Sequence, residues 1–247
     1  MTYLDSAEIY NCSQYDTFKG ALRFEMAFGE WSQISNSAIH HGLGIGAHIV
    51  ASANLRLVNN TFFNFKKFGI NIESSNNITI DGNLVSDINS RGYEGEDGMF
   101  DSNAGILGCA RITGDNCPDL YIMNNIVSGV ETTGYSVYGH ECGNYNKPVF
   151  RNNTAHSISG SGAIIFLDPG SKSGSDCIEG SYFNAYKCAE EGVVSFAKTN
   201  KAIFSNMVMI DNVIGAVLNV GKEGDDLWAI IRDSKFYGES DSTDCPY

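Results

Sequence analysis

Leu57-Val58-Asn59-Asn60-Thr61-Phe62-Phe63-Asn64-Phe65-Lys66-Lys67-Phe68-Gly69-Ile70-Asn71-Ile72 is the stretch whose reading decides the fold. It opens on an apolar residue, places Asn59 two positions later, a second apolar residue at Phe62, and a glycine at Gly69. After the glycine, apolar and polar residues alternate, the period of a strand with one buried face. The pattern recurs along the chain from Ile9, Ile34, Leu57, Ile80, Ile122, Phe150, Ile178, Phe204 and Ile231. Two positions after these starts stand Asn11, Asn36, Asn59, Gly82, Asn124, Asn152, Gly180, Asn206 and Asp233, all residue types that tolerate the left-handed backbone region. A second apolar column follows at Ile39, Phe62, Val85, Val127, Ala155, Phe183, Met209 and Phe236. A glycine column follows that, at Gly20, Gly46, Gly69, Gly92, Gly134, Gly162, Gly192 and Gly215.

The period is about 23 to 25 residues early in the chain and about 26 to 28 later, with one long interval between Ile80 and Ile122. Leucine-rich repeats share this length but need a Leu-x-x-Leu-x-Leu framework that is missing here. Helical repeats need apolar spacings of three and four, whereas β-branched residues, Asn and Gly dominate. Short strands joined by tight turns, one winding per repeat, describe an all-β fold: a right-handed parallel β-helix of about nine rungs. With rungs about 4.8 Å apart the rod is roughly 40 Å long. Recurrent turn asparagines suit it, since stacked Asn side chains hydrogen-bond to the levels above and below. The whole chain, 1–247, reads as one solenoid domain. The long interval, about 93–118, reads as a polar, glycine-rich loop insertion.

Composition narrows the function. Sixteen basic against 29 acidic side chains give a net charge of −13 over 247 residues, with 43% hydrophobic residues and only 4 prolines. The apolar content argues against disorder, and the acidic balance argues against a nucleic-acid partner, which needs clustered Lys and Arg. No apolar run approaches the roughly 18 residues of a membrane span. Met1-Thr2-Tyr3-Leu4-Asp5-Ser6-Ala7-Glu8 has neither the basic start nor the apolar stretch of a signal peptide. Of the 7 cysteines none forms Cys-x-x-Cys, which disfavours a structural zinc site. Cys109 with Cys117, and Cys177 with Cys188 or Cys142, are the expected disulfides, and they place the chain in oxidising surroundings. Asn11, Asn59, Asn77 and Asn152 head Asn-x-Ser/Thr sequons and become glycan sites if the chain is secreted.

Three stretches carry a family resemblance. Ala38-Ile39-His40-His41-Gly42-Leu43-Gly44-Ile45-Gly46, Gly134-Tyr135-Ser136-Val137-Tyr138-Gly139-His140-Glu141-Cys142 and Phe150-Arg151-Asn152-Asn153-Thr154-Ala155-His156-Ser157 together resemble the parallel β-helix region of the fibrocystin and fibrocystin-L family of large cell-surface receptor-like proteins. The resemblance implies an extracellular or cell-surface module, a fragment of a longer chain, with no established chemistry. A related region occurs in cell-surface hyaluronan-degrading proteins, which keeps an enzymatic reading open.

Candidate chemistry follows from the columns. If they hold, Asn71, Glu73, Glu94, Glu96, Tyr138, His140 and Asp168 share one exposed strand face, and Glu73, Glu94 and His140 would be its acid–base groups. The competing reading is a face that is polar because water meets it, and a −13 chain repels an anionic glycan unless a cation intervenes. Calcium is the one candidate cofactor, with Glu94, Glu96, Asp97, Asp101 and Asn103 as oxygen donors outside any EF-hand spacing. His40-His41 resembles a metal pair, but adjacent strand residues point to opposite faces, so the two are not expected to share an ion. His156 is expected at a turn. No nucleophile elbow, phosphate loop or dinucleotide fingerprint is present. The expectation is a non-catalytic structural or recognition module of a surface or fibre-forming glycoprotein, assembling with itself or with extracellular proteins and glycans. The alternative is a polysaccharide-degrading lyase or hydrolase acting on an acidic glycan.

Overall fold

A computed structural model describes residues 1–14, 19–89, 103–109, 117–142, 150–166, 177–196, 201–219 and 228–238. Every regular element among them is a β-strand. A typical winding contributes two strands to one sheet and a third to another, as in Ala53–Val58, Thr61–Phe65 and Phe68–Glu73. The first sheet has 17 strands and the second 8. Successive windings pair in parallel and in register: Ile34 faces Leu57, Leu57 faces Ile80, and Ile80 faces Ile122. The first column of the first sheet climbs through Leu4, Ile34, Leu57, Ile80, Ile122, Phe150, Gly180, Phe204 and Ile231. The exception to parallel pairing is His140–Glu141, which runs antiparallel to Cys177–Cys188.

More than one left-handed corner shapes each winding, and a third set, at Met26, Ala51, Ser74 and Cys109, follows the second-sheet strands of the N-terminal levels. The first corner carries positive φ at Ser6, Asn36, Asn59, Gly82, Asn124, Asn152, Tyr182, Asn206 and Asp233. The second carries it at Asn11, His41, Asn64, Asp87, Gly129, Ser157, Lys187 and Asp211. Asn11 therefore belongs to the second corner, and the first winding starts at Leu4 rather than Ile9. The reading of Ile178 as a start is corrected in the same way. Gly180 occupies that column because the Phe204 ring fills the space beside it: a Cβ on Gly180 would lie 2.9 Å from Phe204 Cε1. Tyr182 then takes the strained corner, and Ala185, not Phe183, faces Ala155.

The glycine column also shifts at one level. Gly105 lies between Gly69 and Gly134, so the expected insertion at 93–118 is not one continuous loop. It contains a fully buried strand, Ala104–Gly108. Close approach explains the column: a Cβ on Gly69 would meet Val85 Cγ1 at 2.3 Å and the Gly105 carbonyl oxygen at 2.8 Å.

Inside, one continuous apolar core runs through the windings, built on Ile, Val and Leu with Phe62, Phe65, Phe150, Phe183 and Phe204. Tyr135 stands among the last three, edge-on to Phe150 at 5.3 Å and to Phe183 at 5.9 Å. Its hydroxyl donates to the Asn125 carbonyl at 2.9 Å. Burial pushes its pKa well above the phenol value, so the hydroxyl remains a donor.

The position after the first corner carries a buried asparagine ladder. Asn60 Nδ2 donates to Asn83 Oδ1 (3.1 Å), Asn83 Nδ2 to Asn125 Oδ1 (3.0 Å), and Asn125 Nδ2 to Asn153 Oδ1 (3.0 Å). Each Oδ1 also accepts from the backbone N–H one level below, as Asn83 Oδ1 does from Asn60 N at 2.9 Å. Each Nδ2 also donates to a carbonyl, as Asn125 does to Ile80 O at 2.9 Å. The expected ladder thus lies one residue later than the left-handed asparagines. Those make separate contacts, such as Asn124 Nδ2 to Asp81 Oδ1 and Asn152 Nδ2 to Asn124 Oδ1, both 2.7 Å.

Among the described residues two disulfides are formed: Cys109–Cys117 and Cys142–Cys177. The expected oxidation of Cys188 is corrected, for it is a buried free thiol, and burial pushes its pKa up to about 12. Cys12 is free and exposed.

Two outcomes follow. Asn83→Leu strands the Asn60 amide donors and should lower unfolding free energy by on the order of 3 kcal/mol, each orphaned buried group costing about 1–3 kcal/mol. Asn124→Gly, which keeps the left-handed corner, should cost no more than about 1 kcal/mol; urea unfolding of the two variants makes the comparison. Among the described cysteines, a thiol reagent should label Cys12 in the native protein and Cys188 only after unfolding. Non-reducing peptide mapping should return Cys109–Cys117 and Cys142–Cys177, and a Cys177–Cys188 peptide would contradict the structure.

Candidate functional site

The outward face of the second sheet divides into two parts. Its N-terminal windings present Arg23, His48 and Asn71 in one column and Glu25, Val50 and Glu73 in the next. Further along, the first column continues through Leu107, Ser136, Ile164 and Val194, and the second reaches Tyr138 and Phe166. These later residues are buried; Tyr138, Ile164, Phe166 and Val194 form with Cys109 a second apolar cluster against which Cys117 packs, while Leu107 clusters with Ile45, Phe68 and Ala104. Tyr138 lies edge-on to Phe166 at 6.3 Å. Water does not set the polarity of this face at these levels.

The polar part holds the only described carboxylate–imidazole group on this sheet. Glu73 ends the strand Phe68–Glu73 and is half-buried. Its Oε1 accepts from Asn71 Nδ2 at 2.7 Å and lies 3.2 Å from His48 Nε2. Asn71 is 1% exposed and its Oδ1 has no hydrogen-bond partner. The Glu73 carboxyl is held below its ordinary 4.5, chiefly by the His48 hydrogen bond, against a smaller opposing effect of burial. The Asn71 bond and the charges of His48 and Lys67 add to the lowering. A carboxylate so held is ionised at neutral pH and suits a positioning role or a base of low strength, not a proton donor.

The expected acid–base group is not assembled as read. Glu94, Glu96, Asp97, Asp101 and Asp168 lie outside the described residues. The two column positions assigned to Glu94 and Glu96 belong to Leu107 and Cys109, because the strand at that level is Ala104–Gly108. His140 pairs through its backbone with Glu179 of the first sheet, so it is not in a column with Glu73. Glu179 is fully buried, with Arg232 Nη2 at 3.5 Å from its Oε1. Of the calcium candidates Asn103 is described; it is buried, and its carbonyl accepts from the Thr132 hydroxyl. The sequence already aligned His48 two places after its glycine and Glu73 four places after its own, so adjacency on one face was the available signal for this pair.

Two histidine readings change. His156 lies within the strand Phe150–Ile158 rather than at a turn, stacked on Tyr186 at 4.7 Å and 7°, and burial lowers its pKa. His40 and His41 do meet. The left-handed φ of 56° at His41 bends the chain at the strand end, and the two Nδ1 atoms lie 2.7 Å apart. The sequon residues Asn11, Asn59 and Asn152 are exposed, while Asn77 is half-buried with Nδ2 donating to Asn54 Oδ1 at 2.8 Å.

The depressed pKa of Glu73 has a sign. Stability from its ionised interactions is present above the unfolded glutamate value and is lost as pH falls through the lower folded value. Wild type should therefore exceed Glu73→Gln in stability at pH 6 to 7. The gap should close progressively below about pH 4.3, as denaturant titrations across pH would show.

A family profile described as a right-handed β-helix region matches residues 3–110. Fibrocystin of Canis lupus familiaris is 26% identical over 225 residues, covering 88% of this chain and 5% of that protein. Fibrocystin of Mus musculus is 24% identical over 187 residues, covering 76% of this chain and 4% of that protein. Among solved structures, the full-length tailspike protein 2 of an Escherichia coli bacteriophage matches at 11% identity and a TM-score of 0.38, covering 86% of this chain and 25% of that one. The catalytic unit of a thermostable α-1,3-glucanase from Streptomyces thermodiastaticus matches at 14% identity and a TM-score of 0.34, covering 92% of this chain and 51% of that one. The chain has the fold of a parallel β-helix, matches a right-handed β-helix profile over residues 3–110, and is similar over most of its length to a small part of fibrocystin.

Proposed function

We propose that this region is a non-catalytic structural and recognition segment of a larger extracellular or cell-surface glycoprotein. The carrying observation is the state of the core at the last winding. Ile231 and Phe236 continue the inward columns of Phe204 and Met209, yet they are 39% and 46% exposed, whereas Phe204 and Met209 are buried. At the first winding Leu4 and Ile9 are likewise only partly buried. An open rung end leaves apolar side chains and strand edges that another rung would cover. That rung would come from flanking parent chain, from a second copy, or from another extracellular protein. Three features support the setting: two disulfides, exposed sequons, and similarity to a small fraction of a much longer relative.

A polysaccharide-degrading activity is the rival, and the Glu73–His48 pair is the observation in its favour. Sedimentation over a concentration series should show self-association that Phe236→Asp weakens. Hyaluronan, pectate and alginate, incubated with the protein with and without calcium, should keep their chain length. Depolymerisation abolished by Glu73→Gln, Glu94→Ala or His140→Ala would overturn the non-catalytic reading.

A further inference from the structure

We propose that His40 and His41 form a bidentate site for a divalent late first-row transition-metal ion, with copper(II) the best fit. The site lies where the strand Ala38–His40 runs into the second corner. A chain that stayed extended would send the two rings to opposite faces. The left-handed backbone at His41 turns its ring back, so that Nδ1 stands 2.7 Å from His40 Nδ1. At metal–nitrogen distances of about 2.0–2.1 Å, two nitrogens that far apart subtend an angle near a right angle. That is the cis angle of a tetragonal ion; tetrahedral zinc would need about 3.3 Å between them.

The surroundings prepare the ligand atoms. His40 Nε2 lies 3.0 Å from Glu8 Oε1, on the neighbouring rung. A carboxylate at Nε2 keeps the proton there and leaves the lone pair on Nδ1, the arrangement of a metal-binding histidine with an acidic outer partner. Tyr10 stacks on His40 at 5.9 Å and 14°, and Phe63 meets His41 edge-on at 5.5 Å, so both rings are held before any ion arrives. The His40 side chain is 21% exposed and His41 is exposed, which leaves the remaining coordination positions to water or to a donor from a partner. On binding, His41 takes up its Nε2–H tautomer: the proton on its Nδ1 passes through solvent to Nε2, and both rings stay neutral with their Nδ1 lone pairs on the ion. This site shares no residue with the Glu73 group and does not depend on the proposed structural role.

The test uses copper(II) alone, with a Cys12→Ser background to remove the exposed thiol. Equilibrium titration should show one saturable site, and electron paramagnetic resonance should show coupling to two nitrogens. His40→Ala should abolish that signal. His41→Asn, which suits the left-handed corner and keeps the fold, should abolish it too, while His156→Ala leaves it intact. Glu8→Ala should weaken binding by about 10- to 100-fold, the usual effect of losing an outer partner. Circular dichroism verifies folding of each variant. Copper affinity unchanged by His40→Ala and His41→Asn, or a spectrum without nitrogen coupling, would overturn the proposal.

Discussion

The constraint on which the rest of the structure depends is the satisfaction of polar backbone at a buried corner. Each winding must turn sharply beside the core, and the turn leaves an N–H and a carbonyl with no strand partner, a cost of a few kcal/mol if unmet. Asn60, Asn83, Asn125 and Asn153 meet that demand with one side chain each, because an amide both accepts and donates. Since each Oδ1 of the ladder serves the level below it, the ladder also ties the rungs it spans to one register. Where the column passes to Phe183, the polar ladder ends and aromatic packing around Tyr135 takes over.

The repeat, the fold and the inward columns were legible in the sequence because a buried strand face enforces a period of two that few residues violate. Register was less legible wherever two residues could each open a winding. Leu4 and Ile9 both precede a left-handed corner, Ile178 is the apolar residue two before Gly180, and only contacts across windings choose between them. Gly92 against Gly105 is a similar case, since both are glycines followed by plausible strands. That choice gives the column positions assigned to Glu94 and Glu96 to Leu107 and Cys109. His48 beside Glu73 was within reach of the alignment, whereas the meeting of His40 and His41 was not. It rests on the left-handed backbone at His41, which the periodic pattern does not encode.

The second sheet shows how one surface can serve two ends. Around His48, Asn71 and Glu73 its outer face is an ionic group fixed by short hydrogen bonds. Around Tyr138, Ile164, Phe166 and Val194 it is a second core, clamped on its flank by Cys109–Cys117. Outer faces of solenoids are polar only where nothing lies over them, and the burial of Ile164 and Val194 shows that this face is covered. The first sheet takes in the short antiparallel strand His140–Glu141 beside Cys177–Cys188, tied at its end through Cys142 to Cys177.

The asparagine ladder also has a direction. Asn60 gives its protons to Asn83, Asn83 to Asn125, and Asn125 to Asn153, always toward the later winding. A ribosome delivers the earlier winding first, so each new corner emerges holding amide protons whose acceptor has not yet been synthesised. Water serves as the stand-in until the next 23 to 42 residues arrive, the sequence separations that these bonds span. The nascent rod therefore grows with an unfinished leading edge, and every corner is completed by its successor.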